Sequence, residues 1–258
     1  MELLHSASTP FGKSLDLNSF PVLDPEALEM NDNLLVAFKS RDRRSRSFSL
    51  MRTALSKRLT QRRARLIGVT SATPGAGKTF LSINLAASLS RVSDGPVYLV
   101  DLDLRIASLK KALGLEMEGG VERVLMGEDV PLQSLGYRIK GSNLVVFPTN
   151  RVEEGSAELV SGSTYREFIA ALRARTGDAV ILVDLPPAFA GDDTMISLDE
   201  LDGYIFVADA GKTTRRQVRD CIRLLDPSPC LGTVLNRYEG GLAAGYGYGS
   251  YNYNAYYD

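Results

Sequence analysis

The sequence predicts an α/β fold, with a doubly wound, mainly parallel sheet and helices on both faces. Three observations predict it: a strand, glycine-rich turn and helix pattern at residues 66–89, and two further apolar runs at 97–100 and 179–183. Each run is apolar on both faces, which is typical of strands inside a parallel sheet. Each run also ends in aspartate, and ligands of such sheets bind at the carboxyl ends of the strands. We therefore expect a ligand site at that edge.

The glycine-rich turn, Ser-Ala-Thr-Pro-Gly-Ala-Gly-Lys-Thr-Phe at residues 71–80, fits G-x-x-x-x-G-K-[ST] except at the first place, where Ala72 stands. Backbone N–H groups here would converge on a phosphate at the positive end of the following helix. Lys78 would reach the β- and γ-phosphates, and the Thr79 hydroxyl would ligate Mg²⁺. A chance match is the alternative, and the flanking strand and helix argue against it. The α/β fold is therefore expected to be that of a P-loop NTPase of the deviant Walker type. The expected nucleotide-binding residues of this loop are Pro74, Gly75, Ala76, Gly77, Lys78, Thr79 and Phe80.

Three aspartates are expected at the same edge: Asp101 and Asp103 in Val-Asp-x-Asp-x-Arg, and Asp184 in Val-Asp-x-Pro-Pro. A single aspartate at a strand end is usually a turn or a helix cap. Three of them beside a phosphate loop indicate Mg²⁺-nucleotide chemistry. We expect Thr79, Asp101 and Asp184 to support the metal directly or through water. Lys78, Asp101 and Asp103 are the candidate catalytic residues.

The order of these motifs resembles that of the bacterial tyrosine kinases (BY-kinases) of capsular and exopolysaccharide biosynthesis. The resemblance covers roughly residues 46–258 and continues in three more segments, 120–127, 144–148 and 233–236. It implies ATP and Mg²⁺ as cofactors and transfer of the γ-phosphoryl group to tyrosine. It also implies Asp101 as the candidate base and places Asn236 near the position that contacts adenine in that family.

The last thirteen residues hold six of the eleven tyrosines of the chain. They stand among Gly, Ser, Asn and Ala, a composition that predicts a disordered segment. In the family that the chain resembles, such a cluster is the autophosphorylation substrate. A sticky low-complexity tail and a stacking strip for sugars or bases are the alternatives. The candidate phosphoacceptors are Tyr246, Tyr248, Tyr251, Tyr253, Tyr256 and Tyr257.

The chain has 258 residues and a formal net charge of −1. Its local composition predicts how it is divided. We expect a mostly disordered leader at 1–45, one kinase or ATPase domain at 46–238 and a flexible tail at 239–258. The sole histidine, His5, falls in the predicted leader, which argues against catalysis by histidine or zinc. The two cysteines show no metal-ligand spacing, and no apolar run approaches the ~20 residues of a membrane helix.

Periodicity places further elements within the predicted domain. An apolar stripe at residues 48–59 predicts a helix before the first strand. Further strands are expected at 204–208 and 232–235, and helices at 165–175 and 213–225.

Two departures from related families bear on assembly. Relatives that form rings carry Glu-x-x-Arg-x-x-Arg on the helix before the first strand, and here Arg46, Ser49 and Arg52 stand at those places. Only the last arginine is kept, which argues against a ring built in the usual way. ATPases that position chromosomes or plasmids usually carry a lysine five residues before the loop lysine. Thr73 stands there, which favours a kinase.

Partners follow from the resemblance and from a basic stretch. Residues 39–65 hold eleven Lys or Arg and one acidic residue, Asp42; this stretch could bind an anionic membrane or nucleic acid, or be a solvated helix face. The resemblance implies an activating membrane polysaccharide co-polymerase, a cognate tyrosine phosphatase and a possible homo-oligomer, without nucleic acid. It also implies a cytoplasmic protein at the inner face of the plasma membrane. The alternative function is an ATP-switched scaffold or a positioning ATPase of the ParA/MinD-like clan, without kinase activity.

Overall fold

The computed structural model describes residues 15–24, 36–37 and 45–238. The tyrosine-rich segment with its six candidate phosphoacceptors lies outside the described residues, as does most of the predicted leader.

One sheet forms the centre of the described structure. Its strands are β1 (Val22–Leu23), β2 (Leu66–Ser71), β3 (Val97–Asp101), β4 (Tyr137–Ile139), β5 (Leu144–Phe147), β6 (Val180–Asp184), β7 (Gly203–Asp209) and β8 (Cys230–Asn236). Their order across the sheet is β1-β4-β5-β3-β6-β2-β7-β8. Every neighbouring pair is parallel except β4 with β5. The predicted mainly parallel sheet is therefore confirmed.

Helices cover both faces of the sheet, as predicted. They are α1 (Ser45–Arg62), α2 (Lys78–Ser90), α3 (Ser108–Ala112), α4 (Val121–Leu125), α5 (Leu132–Leu135), α6 (Ser156–Ser161), α7 (Ser163–Arg175), α8 (Asp193–Leu198) and α9 (Arg215–Leu224). Buried residues form two clusters, one with α1, α2 and α3, the other with α4, α7, α8 and α9. Alternate residues of β3 and β7 enter opposite clusters. Both faces are thus buried, which is why these strands are apolar at successive positions.

Helix α1 confirms the helix that the apolar stripe predicts before the first strand. Phe48, Leu55 and Leu59 are buried on this stripe, and the Phe48 ring packs edge-on against Phe80 of α2 at 5.6 Å between centroids. The one arginine kept from the ring motif, Arg52, donates to the Ser88 carbonyl at 3.2 Å. In this chain Arg52 thus ties α1 to α2.

Residues 15–24 form ordered structure within the stretch 1–45, where the sequence predicts a mostly disordered leader. Strand β1 pairs in parallel with β4, and its ladder includes the N–H of Lys140, which donates to the Leu23 carbonyl at 2.8 Å. Phe20 is buried and packs edge-on against Phe147 at 5.7 Å. A two-residue strand carries no periodicity, so only its non-local partners reveal it.

Candidate active site

The phosphate loop joins β2 to α2 along the carboxyl edge of the sheet. Gly75 and Gly77 have φ values of 79° and 90°, a left-handed region that is costly for residues with a Cβ. Gly77 is the residue before α2, and Pro74 lies exposed in the turn. Helix α2 begins at Lys78 and has 13 residues, so its positive end points toward this loop.

Two consecutive residues at the end of β8 contact the loop. The Asn236 side-chain amide donates to the Ala76 carbonyl at 2.8 Å, and the Arg237 guanidinium donates to the Gly75 carbonyl at 2.8 Å. Asn236 was among the residues predicted to bind nucleotide, whereas the sequence assigned no role to Arg237. The available signal was only its place beside Asn236, after a predicted strand.

Three buried carboxylates gather beside the loop, as expected for Asp101, Asp103 and Asp184, which are 0%, 3% and 0% exposed. The Thr79 hydroxyl donates to Asp184 Oδ2 at 2.6 Å. Lys78 Nζ lies 3.7 Å from Asp103 Oδ2. The structure therefore brings together the candidate catalytic and metal-supporting residues.

Asp101 and Asp184 are held by further donors. The backbone N–H groups of Asp103 and Leu109 donate to the two oxygens of Asp101, at 3.0 and 2.9 Å. The hydroxyl of Ser82 donates to Asp184 Oδ1 at 3.1 Å. Ser82 was missed from the sequence, although it lies one helical turn after Lys78 and so faces the same way.

Burial in a group of like charges raises the pKa values of these acids. Burial, and then the charge of Asp184, hold the pKa of Asp101 well above its usual range. Burial raises the pKa of Asp184 to about 6, although Lys78 and the Thr79 hydroxyl oppose the shift. Burial also raises the pKa of Asp103 against the opposing charge of Lys78. The group holds more negative than positive charge when ionised, so it favours an added cation.

The donor set fits Mg²⁺ bound together with a nucleotide. Among the described residues, no three His, Cys, Asp or Glu side chains are arranged to hold a metal by themselves. Mg²⁺ usually keeps several waters and takes one or two protein ligands plus substrate phosphates. The Thr79 hydroxyl, fixed on Asp184 at the start of α2, is the candidate for such a ligand.

A cleft of about 810 Å³ opens beside the loop, between α1, the start of α2 and the end of β8. Its lining includes Phe48, Met51, Phe80, Leu235, Asn236 and Tyr238. Aromatic and apolar faces with a few polar groups are typical of small-molecule sites. The cleft is adjacent to the loop and suits a planar base, and its lining includes three of the predicted binding residues, Gly77, Phe80 and Asn236.

Arg105, the arginine of the Val-Asp-x-Asp-x-Arg motif, connects the loop after β3 to the segment that joins β6 to α8. Its guanidinium donates to the buried carboxylate of Asp193 at 2.8 Å and to the Ala190 carbonyl at 3.2 Å. It also donates to the Ser156 hydroxyl at 3.0 Å. Asp193 could not be found from sequence, because its contact with Arg105 spans 88 residues.

Within residues 15–24, 36–37 and 45–238, none of the helices has both the length and the apolar character required to span a bilayer.

Comparison with known proteins yields relatives along most of the chain. No family model matches. Tyrosine-protein kinase YwqD of Bacillus subtilis is 27% identical over 224 residues, which cover 85% of this chain and 92% of that protein. Other curated relatives, also named tyrosine-protein kinases, are longer, and the chain covers only 25% to 28% of their length.

Solved structures extend the comparison to the fold. A cobyrinic acid a,c-diamide synthase from Mycobacterium smegmatis, with bound ATP analogue and magnesium, has a TM-score of 0.52 at 23% identity over 63% of this chain and 67% of its own. That likeness shows the fold alone. The kinase domain of VpsO has a TM-score of 0.68 at 30% identity, covering 76% of this chain and 96% of its own. With the fold, the loop and the buried acids in place, this chain belongs to the family of bacterial tyrosine kinases.

Proposed function

We propose that this protein binds MgATP at residues 74–80 and transfers the γ-phosphoryl group to tyrosine hydroxyls, its own C-terminal cluster included. The observation that carries the proposal is the buried group of Asp101, Asp103 and Asp184 around the phosphate loop. Phosphoryl transfer depends mainly on positioning and charge neutralisation. A phosphate loop beside excess buried negative charge is suited to a metal-nucleotide complex.

The chain's own residues position the phosphates. Asp103 holds the ammonium group of Lys78, which is 7% exposed, so the lysine is fixed before a ligand arrives. The helix start and the loop N–H groups add a positive potential. Asp184 orients the Thr79 hydroxyl, leaving its oxygen lone pairs available to a metal. Bound Mg²⁺ would neutralise phosphate charge during transfer.

Asp101 is the proposed base that accepts the tyrosine proton. Two backbone N–H groups fix its carboxylate, and each oxygen keeps a further lone pair. Burial and Asp184 raise the pKa of Asp101, which strengthens its ionised form as a proton acceptor. A tyrosine hydroxyl has a pKa near 10, so a basic carboxylate beside a metal lowers the barrier to its deprotonation.

The test is phosphotyrosine formation by the purified full chain with Mg²⁺ and ATP labelled at the γ-phosphate. Lys78→Met and Asp101→Asn are expected to abolish the label, whereas Arg216→Ala, on exposed α9, should leave it unchanged. ATP binding without phosphotyrosine, even with the cytoplasmic segment of the polysaccharide co-polymerase added, would refute the kinase proposal. ATP hydrolysis under those conditions would instead support a nucleotide-switched scaffold.

A substitution of all six tail tyrosines by Phe separates these two functions further. A scaffold would keep its cellular role in this variant, because its phosphate loop is intact. A kinase that works through its tail would lose or alter polysaccharide export. The measurement is polymer yield and chain length in cells that carry the variant as the only copy.

The proposal extends to partners and location. By family resemblance, the protein docks at the inner face of the plasma membrane on a polysaccharide co-polymerase, and a cognate phosphatase resets its tyrosines. Stimulation of labelling by the co-polymerase's cytoplasmic segment would support this. Equal labelling with and without that segment, and no co-purification, would contradict the export role while leaving the chemistry intact.

A further inference from the structure

We propose that Asn236 and Arg237, here called the β8 clamp, set the peptide planes of the phosphate loop. The β8 clamp thereby governs affinity for the phosphates of a nucleotide and not for its base. The inference rests on the proposed nucleotide binding at this loop. It assigns a positioning function to Arg237, and a different function to Asn236 from the adenine contact that family resemblance implies.

The β8 clamp donates hydrogen bonds to two successive carbonyls of the loop, those of Gly75 and Ala76. In a planar trans peptide, the C=O and the following N–H point in opposite directions. Drawing the Gly75 carbonyl toward β8 therefore turns the N–H of Ala76 away from β8. Drawing the Ala76 carbonyl the same way turns away the N–H of Gly77. Such N–H groups are what a phosphate loop offers to its anion.

The two side chains are themselves fixed in direction. Asn236 Oδ1 accepts the backbone N–H of Arg237 at 3.0 Å, so the residue that follows β8 sets the amide orientation that points Nδ2 at the loop. The same guanidinium nitrogen of Arg237 that contacts Gly75 donates to Asp209 Oδ2 at 2.6 Å. Asp209 is buried at the end of β7. The clamp is thus anchored on a neighbouring strand.

The backbone also indicates that this arrangement is specific. Arg237 has φ of 57°, in the left-handed region that non-glycine residues rarely adopt. A Cβ built on Gly77 would collide with Asn236 Nδ2, so Asn236 lies against the loop backbone itself. The motif glycine and the β8 clamp therefore depend on each other.

The contacts made by the clamp predict an effect that does not depend on the base. Asn236 directs both atoms of its amide at the protein backbone, and Arg237 directs its guanidinium at Gly75 and Asp209. Loss of either side chain would free loop peptides to rotate. This would weaken every ligand that carries the same phosphates by a similar factor. If Asn236 instead contacted adenine directly, its loss would weaken the binding of ATP alone.

The test measures affinity of the full chain and its variants Asn236→Ala, Arg237→Ala and Arg237→Lys. The probes are ATP, GTP and inorganic tripolyphosphate, each with Mg²⁺, by calorimetry or by displacement of a labelled nucleotide. We expect each alanine variant to weaken all three probes by the same factor, about tenfold for a lost hydrogen bond of typical strength. Arg237→Lys should recover part of the loss, because the charge beside Asp209 remains. Arg216→Ala is the matched arginine control.

A second measurement needs no nucleotide. Hydrogen exchange at residues 75–78 should be faster in both alanine variants than in the parent, with melting temperatures confirming that each is folded. A loss confined to ATP would overturn the proposal in favour of a base contact, and unchanged affinity and exchange would overturn it outright. If the parent binds no probe, the proposed function fails, and the exchange data still decide whether the clamp orders the loop.

Discussion

Asp184 and Asp209 end the two strands on either side of β2, and their carboxylates have opposite surroundings. Asp184 is bonded by the hydroxyls of Thr79 and Ser82 and lies in a group with Asp101. Asp209 is bonded by the guanidinium of Arg237 at 2.6 Å, with Lys212 at 3.7 Å. Both carboxylates are at least 95% buried. Asp184 therefore has neutral donors, neighbouring acids and a single cation, Lys78, that is shared with Asp103, whereas Asp209 has two cations of its own.

The difference shows how one sheet edge serves two purposes. A buried carboxylate paired with chain cations is compensated, and it can anchor a positioning residue. A buried carboxylate among other acids is under-compensated, which its pKa of about 6 reflects. Such a site gains from a cation supplied with a ligand. The contrast separates the part of the edge that holds the loop from the part that is suited to metal chemistry.

The largest expected effect comes from neutralising the two acids in turn. Asp184→Asn should lower Mg²⁺-dependent phosphotransfer by on the order of 100-fold, because it releases the Thr79 hydroxyl and removes charge from the metal side. Asp209→Asn should lower it about tenfold at most, through a looser β8 clamp. Initial rates over a Mg²⁺ titration measure both. Equal losses would show that the two carboxylates do not differ in function.

Stability without nucleotide should change in the opposite order. At pH 8, Asp184→Asn should stabilise the apo protein by on the order of 1–3 kcal/mol, since it removes a buried like charge. Asp209→Asn should destabilise it by about 1–2 kcal/mol, since it breaks a pair with a half-exposed arginine. Urea unfolding in a chelator measures both. Destabilisation by Asp184→Asn at pH 8 would contradict the under-compensated state of that site.

The pH dependence of that first gain has a definite sign. The pKa of Asp184 is about 6 in the folded protein, above the ordinary value of 3.8 for an aspartate. The folded state therefore binds more protons between these values, and this carboxylate costs stability as pH rises through them. The advantage of Asp184→Asn should grow from pH 4 to pH 7 and then level off. An advantage that shrinks over this range would contradict the raised pKa.

Two glycines of the loop give a smaller, matched comparison. Both have left-handed φ values, but a Cβ at Gly75 meets nothing within 4 Å whereas one at Gly77 meets Asn236. Gly75→Ala should cost about 1 kcal/mol for its backbone alone. Gly77→Ala should cost at least about 1 kcal/mol more and should weaken ATP binding. Equal unfolding free energies for the two variants would show that the Asn236 side chain moves aside at little cost.

The smallest effect is expected at the exposed cation of Asp209. The Lys212 side chain is 78% exposed and 3.7 Å from the carboxylate. Lys212→Ala should change the free energy of unfolding by no more than about 0.5 kcal/mol, because exposed pairs are solvated and screened. Thermal unfolding at two salt concentrations measures it. A change as large as that of Asp209→Asn would show that Lys212, and not Arg237, is the cation that balances the charge of Asp209.

The sequence predicts the surroundings of Asp184 but not those of Asp209. Lys78, Thr79, Asp101, Asp103 and Asp184 lie in motifs whose spacing places them at strand ends or at a helix start. Asp209 directly follows the strand predicted at 204–208, but it lies in no motif. Its cation, Arg237, is 28 residues away. Pairing of that range depends on which strands are neighbours, and periodicity carries no such information.

The sequence by itself determined the fold class, the phosphate loop and the long elements, because apolar runs and glycine spacing are local signals. It also determined the family resemblance, which comparison with known proteins supports. Tertiary structure alone decided the edge pairing of β1 with β4, the tie from Arg105 to Asp193 and the grip of the β8 clamp on the loop. Each of these joins residues far apart in the chain. Their physical cause is the strand order, which sets β8 beside β7 and β7 beside β2 and so brings the end of β8 within reach of the loop.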